Sequence, residues 1–189
     1  MAILERHHSL AVIRRTIAVT LLATAPLAAQ PSTVIEDDVK AAFLYNFAKY
    51  VEWPDAAFPE GALRVCVVAD AAFAKRVDDI IAGETIEGRP VTREAPSTPD
   101  QARSCNILFV GGAEAGRADQ LLGAVRGAHV LTVGDTADFL ARGGVVTFVR
   151  EGDRVRFDVN VGAAQHAGLI ISSRLLRVAR HVSTGGARR

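Results

Sequence analysis

Neither sign of charge dominates this sequence: 22 lysines and arginines stand against 21 aspartates and glutamates, a formal net charge of +1. Binding nucleic acid through bulk electrostatics needs a basic excess, so a strongly basic nucleic-acid binder is excluded, though not a local basic patch. Cysteine is nearly absent. Cys66 and Cys105 are the whole thiol complement and form no C-x-x-C pair, which argues against a redox-active dithiol or a cysteine-rich zinc module. There is no Gly-x-Ser-x-Gly elbow for a serine nucleophile and no Gly-Lys-Ser/Thr for a phosphate loop. His129, His166 and His181 are scattered, so no compact metal-ligand set is visible. We therefore assign no catalytic residue and expect neither metal nor cofactor. Aromatics are also scarce, at 6%, and unevenly placed.

What is present begins with an atypical N-terminus. Arg14 and Arg15 precede an apolar run from Ile17 to Leu27, and the small residues Ala28 and Ala29 follow. A positive region, a short apolar region and a small-residue cleavage point make a secretory signal. The run is too short for a bilayer span, which needs roughly 20 residues. The expectation is a signal peptide over residues 1–29, cut near Ala28 or Ala29, then one domain over 30–182 and a flexible tail over 183–189. A retained, uncleaved membrane anchor and an apolar helix kept in the mature fold are the competing readings. Cleavage takes three of the 22 basic and one of the 21 acidic residues, so the mature chain is near neutrality and has no transmembrane segment. In an exported protein an even cysteine pair reads first as a disulfide. The other reading is two separate buried thiols.

Along the chain, Thr33-Val-Ile-Glu36 has the form of a capping box, and apolar residues at Val39, Phe43, Phe47, Tyr50 and Val51 keep helical spacing until Pro54. Leu63–Ala69, Cys105–Val110 and His129–Val133 are short, nearly all-apolar runs of the kind found in strands buried on both faces. Helices are expected over Ala71–Ala82, Glu114–Arg126 and a short piece from Thr136 to Ala141. Residues 86–94 turn at Gly88 into a strand near Val91. Val145–Arg150 and Arg154–Asn160 flank Glu151-Gly152-Asp153 as a hairpin. Val161–Ala167 and a final segment capped by Ser172 or Ser173 and reaching His181 read as helices. Strand–helix alternation followed by a hairpin predicts a three-layer α/β sandwich: a mostly parallel sheet, an antiparallel C-terminal hairpin at its edge, and helices on both faces.

Few segments suggest chemistry. Gly111-Gly-Ala-Glu-Ala-Gly116 follows a strand and opens a helix, but its third position is Ala113, so the dinucleotide fingerprint fails. Asp135 stands at a strand's C-terminal end, where open α/β folds bind ligands. It is the one candidate ligand contact, with helix capping as the alternative. Tyr45, Phe47, Tyr50 and Trp53 gather both tyrosines and the only tryptophan into one stretch. Such clustering marks either a core anchor or an interface hot spot. Arg174 and Arg177 lie one turn apart on the last helix. They suit an acidic partner or acidic lipid, or a solvated helix end favoured by its dipole.

The stretch Val39-Lys-Ala-Ala-Phe-Leu-Tyr-Asn-Phe-Ala-Lys-Tyr-Val-Glu-Trp-Pro54 closely resembles the opening of the YfiR family of periplasmic proteins. The similarity continues at Leu63-Arg-Val-Cys66, Cys105-Asn-Ile-Leu-Phe-Val-Gly111, Val130-Leu-Thr-Val-Gly-Asp135, Gly143–Val149, Val155–Asn160 and Ser172-Ser-Arg-Leu-Leu176. The resemblance implies a periplasmic repressor that binds the periplasmic region of a membrane-bound signalling protein, typically a diguanylate cyclase, and so limits cyclic di-GMP and biofilm formation. A homodimer is among the expected assemblies. Cys66 and Cys105 match cysteine positions of the family. Some relatives carry a second pair in the hairpin region, where Val145–Asn160 has none. A periplasmic small-ligand-binding module serving a sensor kinase or transporter is the alternative.

Overall fold

The computed structural model describes residues 32–184, with side chains from Ile35 onward. The signal segment and residues 185–189 of the tail lie outside the described residues.

The chain opens with helix α1 (Ser32–Tyr50) and a two-residue strand β1 (Val51–Glu52), then reaches β2 (Leu63–Val68), α2 (Ala71–Ile81) and the pair β3 (Thr85–Ile86) and β4 (Arg89–Glu94). After a 3-10 turn at Gln101–Ser104 come β5 (Ile107–Val110), a second 3-10 turn at Gly112–Arg117, α3 (Ala118–Ala124) and β6 (Leu131–Gly134). The hairpin β7 (Val146–Glu151) and β8 (Arg154–Asn160) follows, then α4 (Val161–His166), β9 (Ile170–Ile171), α5 (Ser173–Val178) and β10 (His181–Ser183).

Eight strands form one sheet in the order β10-β8-β7-β6-β5-β2-β4-β3. The run β4, β2, β5, β6, β7 is parallel throughout. Antiparallel pairs occur near its two margins, at β7–β8 and β3–β4. The fold is thus a mostly parallel three-layer α/β sandwich. The hairpin is not the outermost element, because β10 adds parallel to β8 and forms the margin itself. Two corrections follow at the C-terminus. The last helix stops at Val178 rather than His181, and Ser183, expected in the tail, closes an edge strand.

The two faces of the sheet are covered unequally. On one, α1 and α2 pack with Ala164 of α4 and Leu175 of α5 over Val65, Val67, Phe109, Val133, Phe148 and Phe157. On the other, only α3, the 3-10 turn at Gln101–Ser104 and the turn run bearing Phe139 cover Cys66, Val68, Leu108 and Val110. Cys66 and Cys105 are joined there, with Cα atoms 5.8 Å apart. The link ties β2 to the chain entering β5. A seven-residue helix such as α3 has too few internal hydrogen bonds to be stable alone, so this thinner layer depends on its packing and on the covalent tie.

Local chemistry explains most element ends. Asp70 accepts from the Phe73 amide at 2.9 Å, Asn160 from Ala163 at 3.0 Å and Ser172 from Arg174 at 3.3 Å, each satisfying an otherwise orphaned helix-start donor. The helix expected over 136–141 is instead a run of turns ending at Gly143 and Gly144. A Cβ at Gly144 would run into the ring of Phe139 and its carbonyl oxygen, so the buried ring closes over a position only glycine can fill.

Candidate functional site

Helix α1 is apolar on more than one side because it is covered on more than one side. Leu44 and Phe47 have no solvent exposure. Phe47 meets Phe157 edge-on at 5.1 Å and stacks on Phe148 at 5.8 Å, a geometry that adds to the burial energy of the rings. Toward the other side, Asp38 pairs with Arg76 of α2, and the Tyr45 hydroxyl donates to Glu84 just beyond that helix. The four aromatic candidates therefore part company. Phe47 is enclosed in the core. Tyr45 is half-buried, with the Lys49 ammonium 3.9 Å from its ring centre. Trp53 is half-buried edge-on to Phe58 at 6.4 Å, and its indole N–H finds no hydrogen-bond partner among the described residues. Tyr50 is exposed at the helix end.

That end of α1 meets the start of α5. Val51 pairs antiparallel with Ile171, and the Ser172 amide donates to the Tyr50 carbonyl at 2.9 Å. The helix stops at Tyr50, before Pro54, because the chain leaves to make this two-stranded sheet. Tyr50 and the helix bearing Arg174 and Arg177 are thereby gathered at one end of the molecule. Both arginines are exposed, as are Ile170 and Val178 on the same elements. The result is a mixed basic and apolar surface that neither segment announces alone.

Asp135 has a different setting. Its Oδ2 accepts from the Lys40 ammonium at 3.1 Å, and Lys40 also pairs with Glu36 at 2.8 Å. Glu36 reaches Arg150 at 3.5 Å. Burial alone would lower the Lys40 pKa, but the hydrogen bond to Glu36 and the charge of Asp135 outweigh it and hold the ammonium above its ordinary value. Asp135 caps no helix. It anchors the first turns of α1 to the C-terminal end of β6. Its Oδ1 and the Thr136 hydroxyl are buried without a partner among the described residues. A Cβ at Gly112 would sit 3.2 Å from that Oδ1.

Two grooves open at the strand ends, and Asp135 lines neither. One, of about 620 Å3, lies between the start of α1 and the β7–β8 turn. The other, of about 540 Å3, is bounded by Val67–Ala69 at the end of β2, Ala95–Ser97, Glu114 and Arg117. The second marks the switch point of the sheet: β2 and β5 are neighbours, and the connections leaving them run in opposite directions, from β2 toward β4 and from β5 toward β6. Among the described residues no group of three or more His, Cys, Asp or Glu is placed to hold a metal. No described helix is long and apolar enough to cross a membrane.

Comparison with known proteins agrees with this architecture. The crystal structure of a conserved domain protein from Vibrio cholerae superposes with a TM-score of 0.52 at 10% identity, covering 78% of this chain and 60% of that one. At such identity the likeness concerns the fold alone, and this chain spans less than two thirds of that protein. An ABC domain in complex with L-Trp from Streptococcus pneumonia aligns only partially, at a TM-score of 0.45 and 10% identity over 66% of this chain and 56% of that one. Residues 37–180 match the family described as YfiR/HmsC-like. The chain belongs to that family.

Proposed function

We propose, from this membership, that the protein is an exported regulatory binding protein that restrains an inner-membrane signalling enzyme, a diguanylate cyclase, and so limits cyclic di-GMP and biofilm formation. The family match across residues 37–180 carries the reading. The Cys66–Cys105 bond supports it, since such bonds persist in oxidising compartments. The mechanism is differential binding. The protein stabilises the inactive state of its partner, and release shifts the partner's population toward activity. No bond is made or broken, in keeping with a sequence that carries no nucleophile–base motif. Tyr50, Trp53, Arg174 and Arg177, gathered at one end by the β1–β9 pairing, form a contact surface of the mixed aromatic and arginine character common in binding hot spots.

Deleting the gene and measuring cellular cyclic di-GMP tests the reading. The level should rise, and restoring the gene should return it to the starting value; an unchanged level refutes repression of a cyclase. One observation favours a second reading. The groove at the switch point, beside the Glu114–Arg117 ion pair, lies where open α/β folds take small ligands. A small-ligand module would show saturable heat of binding with periplasmic metabolites and no change in cyclic di-GMP on deletion.

A further inference from the structure

The groove at the start of α1 results from a break in core layering. Phe43 lies 5.4 Å from Phe157 and 6.0 Å from Phe148, so the helix and the hairpin are in full contact at that layer. One turn back along α1 is Val39 and two turns back is Ile35. The next inward-facing pair of the hairpin is Arg150 opposite Val155. An arginine there cannot complete an apolar layer, and the two elements leave a groove of about 620 Å3. Its floor is Ile35, Val39, Phe43 and Val155. Ile35 is 62% exposed and Val39 36%, and with Phe43 they make an apolar stripe along nine residues of helix, or about 12 Å.

The rim carries Arg150, Arg154 and Arg156 against Glu36 and Asp153. Glu36 is shared between Lys40 at 2.8 Å and Arg150 at 3.5 Å, and Arg156 lies 3.7 Å from Glu151. Arg154, the first residue of β8, has no ion-pair partner among the described residues. The lining therefore offers an apolar trough with surplus guanidinium on one bank. Apolar anchors at i, i+4 and i+7 of a helix would fill such a trough, and carboxylates beside them would meet the arginines.

We infer that this groove docks an acidic amphipathic helix of the membrane-anchored partner, with apolar side chains against Ile35, Val39 and Val155 and carboxylates against Arg154 and Arg150. The inference rests on the proposed role as a regulator of a membrane protein and assigns that role a surface distinct from the one around Tyr50 and Arg174.

The test places the photo-crosslinking residue p-benzoylphenylalanine at Val39, and separately at the more exposed Ile35, in the full-length chain within its native cells. Mass spectrometry then identifies the linked peptide. The expected product is a segment of a membrane-anchored protein with apolar residues at three- and four-residue spacing flanked by Asp or Glu. Arg154→Glu should lower its yield about tenfold, because reversal puts like charges opposite each other, while Arg154→Lys should largely retain it. Links to a second copy, to residues before Ser32 of the same chain, or to lipid would overturn the assignment, as would the absence of any link from both positions. Failure here is separable from failure of the repressor reading. If deletion raises cyclic di-GMP but the groove captures no acidic segment, the groove assignment alone falls. If an acidic segment is captured while cyclic di-GMP is unaffected by deletion, the groove stands and the cyclase is the wrong partner.

Discussion

Opening the Cys66–Cys105 bond is the sharpest test of how the thinner layer is held. The residues are 39 apart in sequence, and closing a loop of that size removes about 13 cal/mol/K from the unfolded chain, or about 4 kcal/mol at 25 °C. A domain of this size has roughly 5–15 kcal/mol of net stability, so the loss is a large share. The bond lies on the face whose cover is α3, one 3-10 turn and the turn run bearing Phe139, where no long helix compensates. With a urea m-value of about 2 kcal/mol/M, the midpoint of unfolding should fall by about 2 M on reduction. Oxidised and reduced protein should be compared by urea titration followed by circular dichroism, beside the Cys66→Ala/Cys105→Ala variant. Reduced wild type and the double variant should agree within about 1 kcal/mol, since both sulfur sites are buried and only small volumes are lost. Oxidised and reduced midpoints within about 0.5 M of each other would refute the loop-closure argument.

Three further outcomes follow from buried groups. Phe47→Ala should cost about 3–5 kcal/mol by cavity formation, whereas exposed Tyr50→Ala should cost under about 1 kcal/mol yet weaken repression, read as cyclic di-GMP beside a urea midpoint. Lys40→Met leaves Asp135 and Glu36 without their ammonium, with side chains 17% and 22% exposed, and should cost about 3 kcal/mol. Lys40→Met/Asp135→Leu should regain part of that, and a double variant less stable than the single would sink the pairing argument. Because the folded pKa of Lys40 is raised, its contribution is intact below the ordinary 10.5 and fades only as pH climbs above it. Asp158 is the opposite case. The hydrogen bond from Arg180 holds its pKa below the ordinary 3.8, so its stabilisation is present above that pH and is lost as pH falls through the lower folded value. Asp158→Asn should flatten the acid limb of a stability–pH curve, and an identical acid limb would count against the pair.

Much of the fold was legible because its parallel strands are buried on both faces. Ile107–Val110 is apolar throughout and Leu63–Val68 is apolar but for Arg64, which is buried with its guanidinium on Glu60 and the Ser104 carbonyl, a pattern that a covered parallel sheet demands. The hairpin declared itself through the alternation of Val155, Phe157 and Val159 with charged residues. The misreadings share a physical cause: short elements owe their form to tertiary contact. The expected helix from Glu114 splits into a 3-10 turn and a seven-residue helix, because Gly116 and Gly123 weaken its helical propensity. β1, β9 and β10 are two or three residues long, too short for any periodicity. Their pairing partners lie far off in sequence, at Ile171 for Val51 and Asp158 for His181. The groove by Arg150 was equally hidden, since an arginine in an alternating strand looks like any solvent-facing residue until the helix above it is placed.

The aromatic helix was open to two readings, core or contact, and its surroundings divide it. Its middle is spent on folding: Leu44 and Phe47 are enclosed and Phe43 is locked among phenylalanines of the hairpin. A partner cannot reach Leu44 or Phe47 without unfolding the layer, whereas Phe43 also lines the groove at the start of the helix. What is left for recognition are the two ends, Ile35 and Val39 beside the arginines of the hairpin, and Tyr50 beside α5. The ends are about 22 Å apart along a helix of 1.5 Å rise per residue, so one small contact cannot cover both. A single extended partner segment, or two separate ones, would engage them. The core between holds both in fixed geometry, since helix, hairpin and the Lys40–Asp135 anchor are packed as one unit. That rigidity is what the proposed mechanism of binding one state of a partner better than another requires, because a surface that deforms to fit both states discriminates between neither.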